Sequence, residues 1–234
     1  MNETPITNTR YSRFPGFLWF LAALAGGFGL GYMRSAVIVP DDAAATIANL
    51  HSSEFLYRLA MASTLVSQVL MVFFVIELFR IFQPVNRRLV MIMMVSFVLS
   101  AAFAAINTIN YYAAILVLNQ AEFLRGFTTE QITSLSYFLM RIANGPGQGV
   151  IELFWPSAYA TFGLLIIRSR ALPPLFGYLL LIAAAGFTIN LVDKYLFPWF
   201  YPLRFTQAAQ ITAALTILPT MLWFLIRGVR RAEC

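Results

Sequence analysis

Three carboxylates in apolar surroundings are the side chains best suited to chemistry in this sequence: Glu152, Glu54 and Asp193. A carboxylic acid in a water-poor site can give a proton to a lipophilic substrate, and a second carboxylate can take one back without a metal ion. An enzyme of this kind would catalyse a cyclisation or isomerisation. Glu152 is the predicted proton donor, and Glu54 or Asp193 the predicted second carboxylate.

Other polar residues occur at helical spacing around these carboxylates. Arg141, Asn144, Gln148 and Glu152 follow one another at intervals of three, four and four residues, which places them on one face of an unbroken helix. We predict an outward-facing polar pocket that binds a small amphiphile or a lipid headgroup. Its remaining predicted ligand-binding residues are Arg58, Asn107, Asn110, Tyr111, Asn190 and Lys194.

The same residues allow two further interpretations. Charged side chains near the ends of membrane helices often extend toward the headgroups, so that Arg58, Asp193 and Lys194 would only anchor their helices. In a small transporter, Gln68 would lie on the transport path together with the helix that contains Glu152. The residue types alone do not separate binder, enzyme, transporter and anchor.

Several classes of function are excluded by what the chain lacks. Cys234 is its one cysteine and His51 its one histidine, so thiolate metal sites and paired-histidine haem or zinc sites cannot form. We therefore predict no metal and no cofactor. The arginines are dispersed at the ends of apolar runs rather than clustered, so nucleic acid is not a predicted partner either.

Composition places these residues in a membrane protein. Hydrophobic residues make up 60% of the 234 positions and charged residues 11%, whereas soluble domains carry roughly 25% charged residues. The apolar runs approach or exceed the roughly 18 residues that a membrane-spanning helix needs. The fold class is therefore all-α, a bundle of about six transmembrane helices, with a seventh possible. The predicted spans are about 14–36, 55–80, 88–115, 147–168, 174–196 and 205–227.

Arginine is concentrated in alternate loops and at both ends of the chain. Because cytoplasmic loops carry the excess of basic residues, both termini are predicted to be cytoplasmic, as in a multi-pass protein of the cell inner membrane. The predicted organisation is a tail of residues 1–13, one transmembrane domain of residues 14–229, and a tail of residues 230–234. Nothing in the sequence indicates an oligomeric state.

Helix lengths counted from the cytoplasmic arginines give the depth of the polar groups. At about 1.5 Å per residue, the groups containing Arg58, Asn107, Glu152 and Asp193 lie about 24–33 Å from that side. All four would reach the outer edge of the hydrocarbon, where the surrounding lipid bilayer meets water.

Three local patterns predict how the helices begin, bend and pack. Thr128 with Gln131 forms a capping box, and the sequence Gly145-Pro146-Gly147 predicts a kink, because proline removes a hydrogen bond from the helical ladder. In the first span, Ala23, Gly27 and Gly31 recur every four residues and predict a packing face.

Three stretches carry a resemblance to a known family. They are Val39–Asn49, Glu54–Arg58 and Pro84–Arg87. With them, and in its hydropathy profile, the chain resembles the bacterial membrane family catalogued as domain of unknown function 4386. The family pattern corresponds here to Asp42, Thr46, Asn49, Glu54 and Arg58. The resemblance implies a multi-helix inner-membrane protein and no particular activity.

Overall fold

The structure, a computed structural model, is built from helices throughout the described residues 12–119, 124–169, 171–196 and 203–229. In chain order they are α1 (Phe14–Tyr32), α2 (Ala43–Ser52), α3 (Glu54–Phe82), α4 (Arg87–Leu118), α5 (Thr129–Ile142), α6 (Gln148–Glu152), α7 (Trp155–Ser169), α8 (Pro174–Leu196) and α9 (Leu203–Ile226). Two π-helical turns, Met33–Val37 and Ala143–Gly147, follow α1 and α5. The predicted tails, residues 1–13 and 230–234, lie outside the described residues except for Ser12 and Arg13.

Five helical segments of the described chain are long and apolar enough to cross a membrane: Phe14–Val37, Glu54–Phe82, Arg87–Leu118, Thr129–Ser169 and Pro174–Leu196. A shorter apolar stretch, Ile211–Ile226, ends α9. The prediction of a polytopic membrane helix bundle is confirmed. The seventh span is not needed, because α5, α6 and α7 follow one another within the single segment Thr129–Ser169.

Contacts divide the chain into two compact units. The terminal unit comprises the described residues of Met1–Phe20, Phe74–Val95 and Pro156–Cys234, and the central unit comprises Leu21–Phe73 and Ser96–Trp155. The long helices α3 and α4 contribute to both units.

Aromatic rings form the centre of the terminal unit. Phe162 is fully buried, and its ring centroid lies 5.9 Å from that of Phe82, 5.9 Å from that of Phe224 and 6.0 Å from that of Trp19. Trp19 in turn stacks on Phe74 with centroids 4.9 Å apart. Rings on α1, α3, α7 and α9 thus interlock, and such pairs add specific geometry to the packing of apolar surface.

The ends of the spanning region meet in the terminal unit. Ser12 and Val229 form an antiparallel bridge, in which each backbone N–H donates to the other residue's carbonyl at 3.1 and 3.0 Å. Gly228 makes the required turn with a φ of 78°, a conformation that glycine adopts without a Cβ penalty. The entry to α1 and the exit from α9 therefore lie side by side.

In the central unit, α1 packs on α3 through small residues and hydroxyls. The Ser67 hydroxyl donates to the Ala22 carbonyl at 2.7 Å, and a Cβ at Gly29 would meet the Ala60 carbonyl at 2.6 Å. The predicted face of Ala23, Gly27 and Gly31 points elsewhere: all three are exposed, and no described atom lies within 4 Å of a Cβ built on Gly27 or Gly31. The prediction chose the wrong glycines, because Ala and Gly are so frequent between Ala22 and Gly31 that more than one stripe of small residues at four-residue spacing is possible.

Candidate functional site

The predicted capping box is confirmed as the start of α5. The Thr128 side chain accepts a hydrogen bond from the Gln131 N–H, and the Thr128 N–H donates to the Gln131 side chain.

The predicted kink at Pro146 is a π-helical turn in the central unit. Pro146 has no N–H for the helical ladder. Beyond it, the Gln148 N–H bonds to the Ala143 carbonyl, five residues earlier instead of four. The helix thus continues with one residue too many in the turn, as is typical of a π-bulge.

Side chains of α4 hold this turn in place. The Asn107 amide donates to the Ala143 carbonyl at 2.9 Å, and the Asn110 amide donates to Asn107 Oδ1 at 3.1 Å. One turn further, the Tyr111 hydroxyl donates to Asn144 Oδ1 at 2.8 Å. Three of the predicted ligand-binding residues on α4 therefore bind the protein's own π-helical turn or one another.

Close packing fixes the same contact. A Cβ on Gly147 would overlap the side-chain amide of Asn107, so only glycine lets α4 approach this closely. Tyr57 on α3, fully buried, completes the network by donating from its hydroxyl to the Tyr111 carbonyl at 3.3 Å. Because buried polar groups are costly unless satisfied, this network determines the local arrangement of α3, α4 and the π-helical turn.

A groove of about 410 Å³ opens beside the π-helical turn. Its lining is mostly apolar and contains one charged residue, Arg141, which is exposed. The lining residues are Ile38, Phe138, Arg141, Ile142, Asn144, Gly145 and Pro146. We call it the Arg141 groove.

The wall opposite α5 comes from the segment that follows the first π-helical turn. Ile38 lies in it, and the Tyr137 hydroxyl on α5 accepts a 2.8 Å hydrogen bond from the Asp41 N–H. Asp41 has a φ of 61°, which is uncommon for a residue other than glycine. Asp42 then caps α2 by accepting from the Ala45 N–H at 2.8 Å. The Tyr137 hydroxyl thus links this wall to α5.

The four residues of the predicted polar stripe do not share one environment. Arg141 is exposed and Asn144 half-buried, while Gln148 and Glu152 are 4% and 5% exposed. The extra residue of the π-helical turn rotates all later residues of the segment by about 100° relative to an uninterrupted helix. The four residues would share one face only if the helix kept its register through the kink. Because it does not, Gln148 and Glu152 lie on a different face from Arg141.

Glu54 and Arg58 form the predicted ion pair at the start of α3. Arg58 Nη2 lies 2.6 Å from Glu54 Oε1, and Arg58 Nε donates to the same oxygen at 2.8 Å. Both side chains are more than one-third exposed. Neither residue lines the Arg141 groove.

The predicted residues of α8 belong to the terminal unit. Asn190 is buried, and Asp193 and Lys194 are half-buried. Their participation in a pocket with residues of the central unit stays a prediction.

Phe138, Tyr137 and Trp155 are among the contributors that were not predicted from the sequence. Phe138 and Tyr137 lie three and four residues before Arg141 on α5, a spacing that could have identified them as neighbours of the guanidinium. The Trp155 indole N–H donates to the Ser100 hydroxyl at 2.8 Å, a contact between distant positions that no local pattern reveals.

The described ranges hold no group of three histidine, cysteine or acidic residues that could bind a metal ion. The sequence model of one family, described as domain of unknown function DUF4386, matches residues 15–228, which is most of the chain. No curated protein and no solved structure matches the chain significantly.

Proposed function

The chain belongs to the family described as domain of unknown function DUF4386, and from that premise we propose that it is a bacterial inner-membrane protein that binds an amphiphilic molecule in the Arg141 groove. The observation that carries the proposal is the composition of the groove. It combines one guanidinium with exposed apolar walls, including Phe138 at 58% exposure. A molecule with a polar head and an apolar body complements such a site.

The depth of the groove along its helix supports this assignment. Arg141 lies eleven residues before Glu152, about 16 Å of helix farther from the cytoplasmic side, so it would reach beyond the predicted outer level of Glu152 into the headgroups of the bilayer. An arginine farther from water would need a partner inside the protein. At this level its polar end can meet the head of an amphiphile while the apolar wall meets the tail.

An intramembrane enzyme is the second candidate function, and the burial of Glu152 in the central unit is the observation that favours it. Two observations favour binding over this candidate. Glu152 does not line the groove, and Glu54 is exposed and paired with Arg58. If the lipid profile of cells that carry Glu152→Gln differs from that of wild-type cells while the protein level is unchanged, the enzyme becomes the better assignment.

Filling the groove tests the binding function. Gly145 lines the groove and a Cβ built on it meets no described atom within 4 Å, so Gly145→Leu adds its side chain from the wall of the groove without a clash at the Cβ. Gly27→Leu on α1 is the matched control, because Gly27 is equally open and does not line the groove. We expect native mass spectrometry of the detergent-released protein to show a co-purifying amphiphile on wild type and Gly27→Leu, and less of it on Gly145→Leu. Equal adducts on all three proteins would refute binding in this groove.

A further inference from the structure

We propose that the occupant of the Arg141 groove is an anionic phospholipid, whose headgroup phosphate pairs with the Arg141 guanidinium. The inference rests on the proposed binding function and adds the chemical class of the ligand. It depends on the charge, the partners and the size of the groove.

The Arg141 groove is positively charged. The described residues that line it include one arginine and no carboxylate. Arginine is a cationic side chain, and no acidic side chain of this lining neutralises it. A zwitterionic headgroup would bring its ammonium to a lining that has no acidic side chain to receive it, whereas an anionic headgroup brings no such cation.

The Arg141 guanidinium has no partner among the described residues. Arg58 pairs with Glu54 and Arg80 with Glu77, whereas no ion pair or side-chain hydrogen bond within the described ranges includes Arg141. An arginine side chain in a membrane helix costs free energy unless it interacts with an anion or with water. Its planar fork of N–H groups matches the oxygens of a phosphate, which can accept two parallel hydrogen bonds.

Asn144 forms a fixed, neutral part of the wall next to the guanidinium. Asn144 Oδ1 accepts from Tyr111, and Asn144 Nδ2 donates to the Met140 carbonyl at 3.2 Å. These bonds hold the amide in one orientation, so Arg141 is the side chain that can turn toward a ligand. The groove is thus arranged before binding, which reduces the entropy that binding costs.

The volume of the groove also suits a phospholipid. A volume of about 410 Å³ lies near the lower end of ligand sites, which hold roughly 300–1,000 Å³. A phospholipid can fill it with its phosphate at Arg141 and the first part of an acyl chain along the apolar wall at Phe138, and the rest of its chains can continue into the surrounding bilayer.

The experiment titrates the protein in detergent with phosphatidylglycerol, with phosphatidylcholine of identical acyl chains and with oleate, each separately, followed by native mass spectrometry. We expect wild type to prefer phosphatidylglycerol, and Arg141→Gln to bind it about tenfold more weakly, the factor that corresponds to ~1.4 kcal/mol. Arg141→Lys should retain part of the preference. Arg88→Gln, at an exposed arginine in the first turn of α4, is the matched control and should behave as wild type.

Equal binding of both lipids by wild type would overturn the inference. So would an equal loss of preference in Arg141→Gln and Arg88→Gln, since that result indicates a general surface charge, or tighter binding of oleate than of phosphatidylglycerol. The Gly145→Leu protein separates the two proposals. If it binds neither lipid while wild type binds both equally, groove binding stands and only the anionic class is wrong.

Discussion

Asn107 donates a 2.9 Å hydrogen bond from its side-chain amide to the carbonyl of Ala143, the first residue of the π-helical turn. Both residues are buried. Asn107→Ala removes the donor, leaves the Ala143 carbonyl without this bond and also deprives Asn110 of its acceptor. We expect a loss of about 1–3 kcal/mol in the free energy of unfolding. Thermal unfolding in detergent measures it, with the exposed Asn119→Ala as control. An unchanged melting temperature would show that α4 does not hold the turn.

Tyr111 and Tyr112 provide a matched pair of adjacent tyrosines. The Tyr111 hydroxyl bonds to Asn144, whereas the Tyr112 side chain is 47% exposed. Tyr111→Phe should reduce stability by about 0.5–1.5 kcal/mol and lower the melting temperature by about 2–4 °C per kcal/mol. Tyr112→Phe should stay within experimental error of wild type. Equal melting temperatures for the two variants would contradict the proposed network.

Gly147 and Gly145 lie in the same π-helical turn and should respond oppositely to alanine. A Cβ at Gly147 overlaps the Asn107 amide, while a Cβ at Gly145 has open space. Gly147→Ala should destabilise by about 1–3 kcal/mol, as overpacking does. Gly145→Ala should be neutral or stabilise by up to about 1 kcal/mol, the helix-propensity difference between the two residues. Thermal unfolding of both proteins measures the two effects. A Gly147→Ala protein more stable than wild type would refute the close approach of α4.

The Glu54–Arg58 pair should contribute little to stability. Its side chains are 37% and 43% exposed, and exposed pairs are worth about 0.2–1 kcal/mol. A double-mutant cycle with Glu54→Gln and Arg58→Gln should therefore give a coupling energy below about 1 kcal/mol. A much larger value would mean that these residues do more than stabilise the start of α3.

The sidedness of the termini can be tested with Cys234, the one cysteine of the chain. If the C-terminus is cytoplasmic, a membrane-impermeant maleimide should label it only after the cells are permeabilised. Gly126→Cys in a Cys234→Ser background is the control, because Gly126 is exposed in a loop predicted to face outward and should be labelled in intact cells. Labelling of Cys234 in intact cells would reverse the predicted orientation.

Much of the fold could be predicted from local signals, because helix starts, breaks and spanning lengths are encoded in short stretches. Thr128 with Gln131 and the kink at Pro146 are examples. The shift from α to π geometry at that kink could not be predicted from the sequence, because it also depends on how α4 packs against Gly147. Its consequence, the separation of Arg141 from Gln148 and Glu152, was missed for the same reason. Ile38 joins Phe138 in the groove across 100 positions, a contact that no spacing rule anticipates.

The bridge between Ser12 and Val229 makes the arrival of α9 a condition for the final packing of α1. The first helix leaves the ribosome long before the last, yet a Cβ at Gly16 of α1 would run into the backbone of Phe224 on α9. Until α9 is inserted, α1 lacks the neighbour against which that glycine fits. A product truncated before α9 would present this unfilled surface to the quality-control proteases of the membrane.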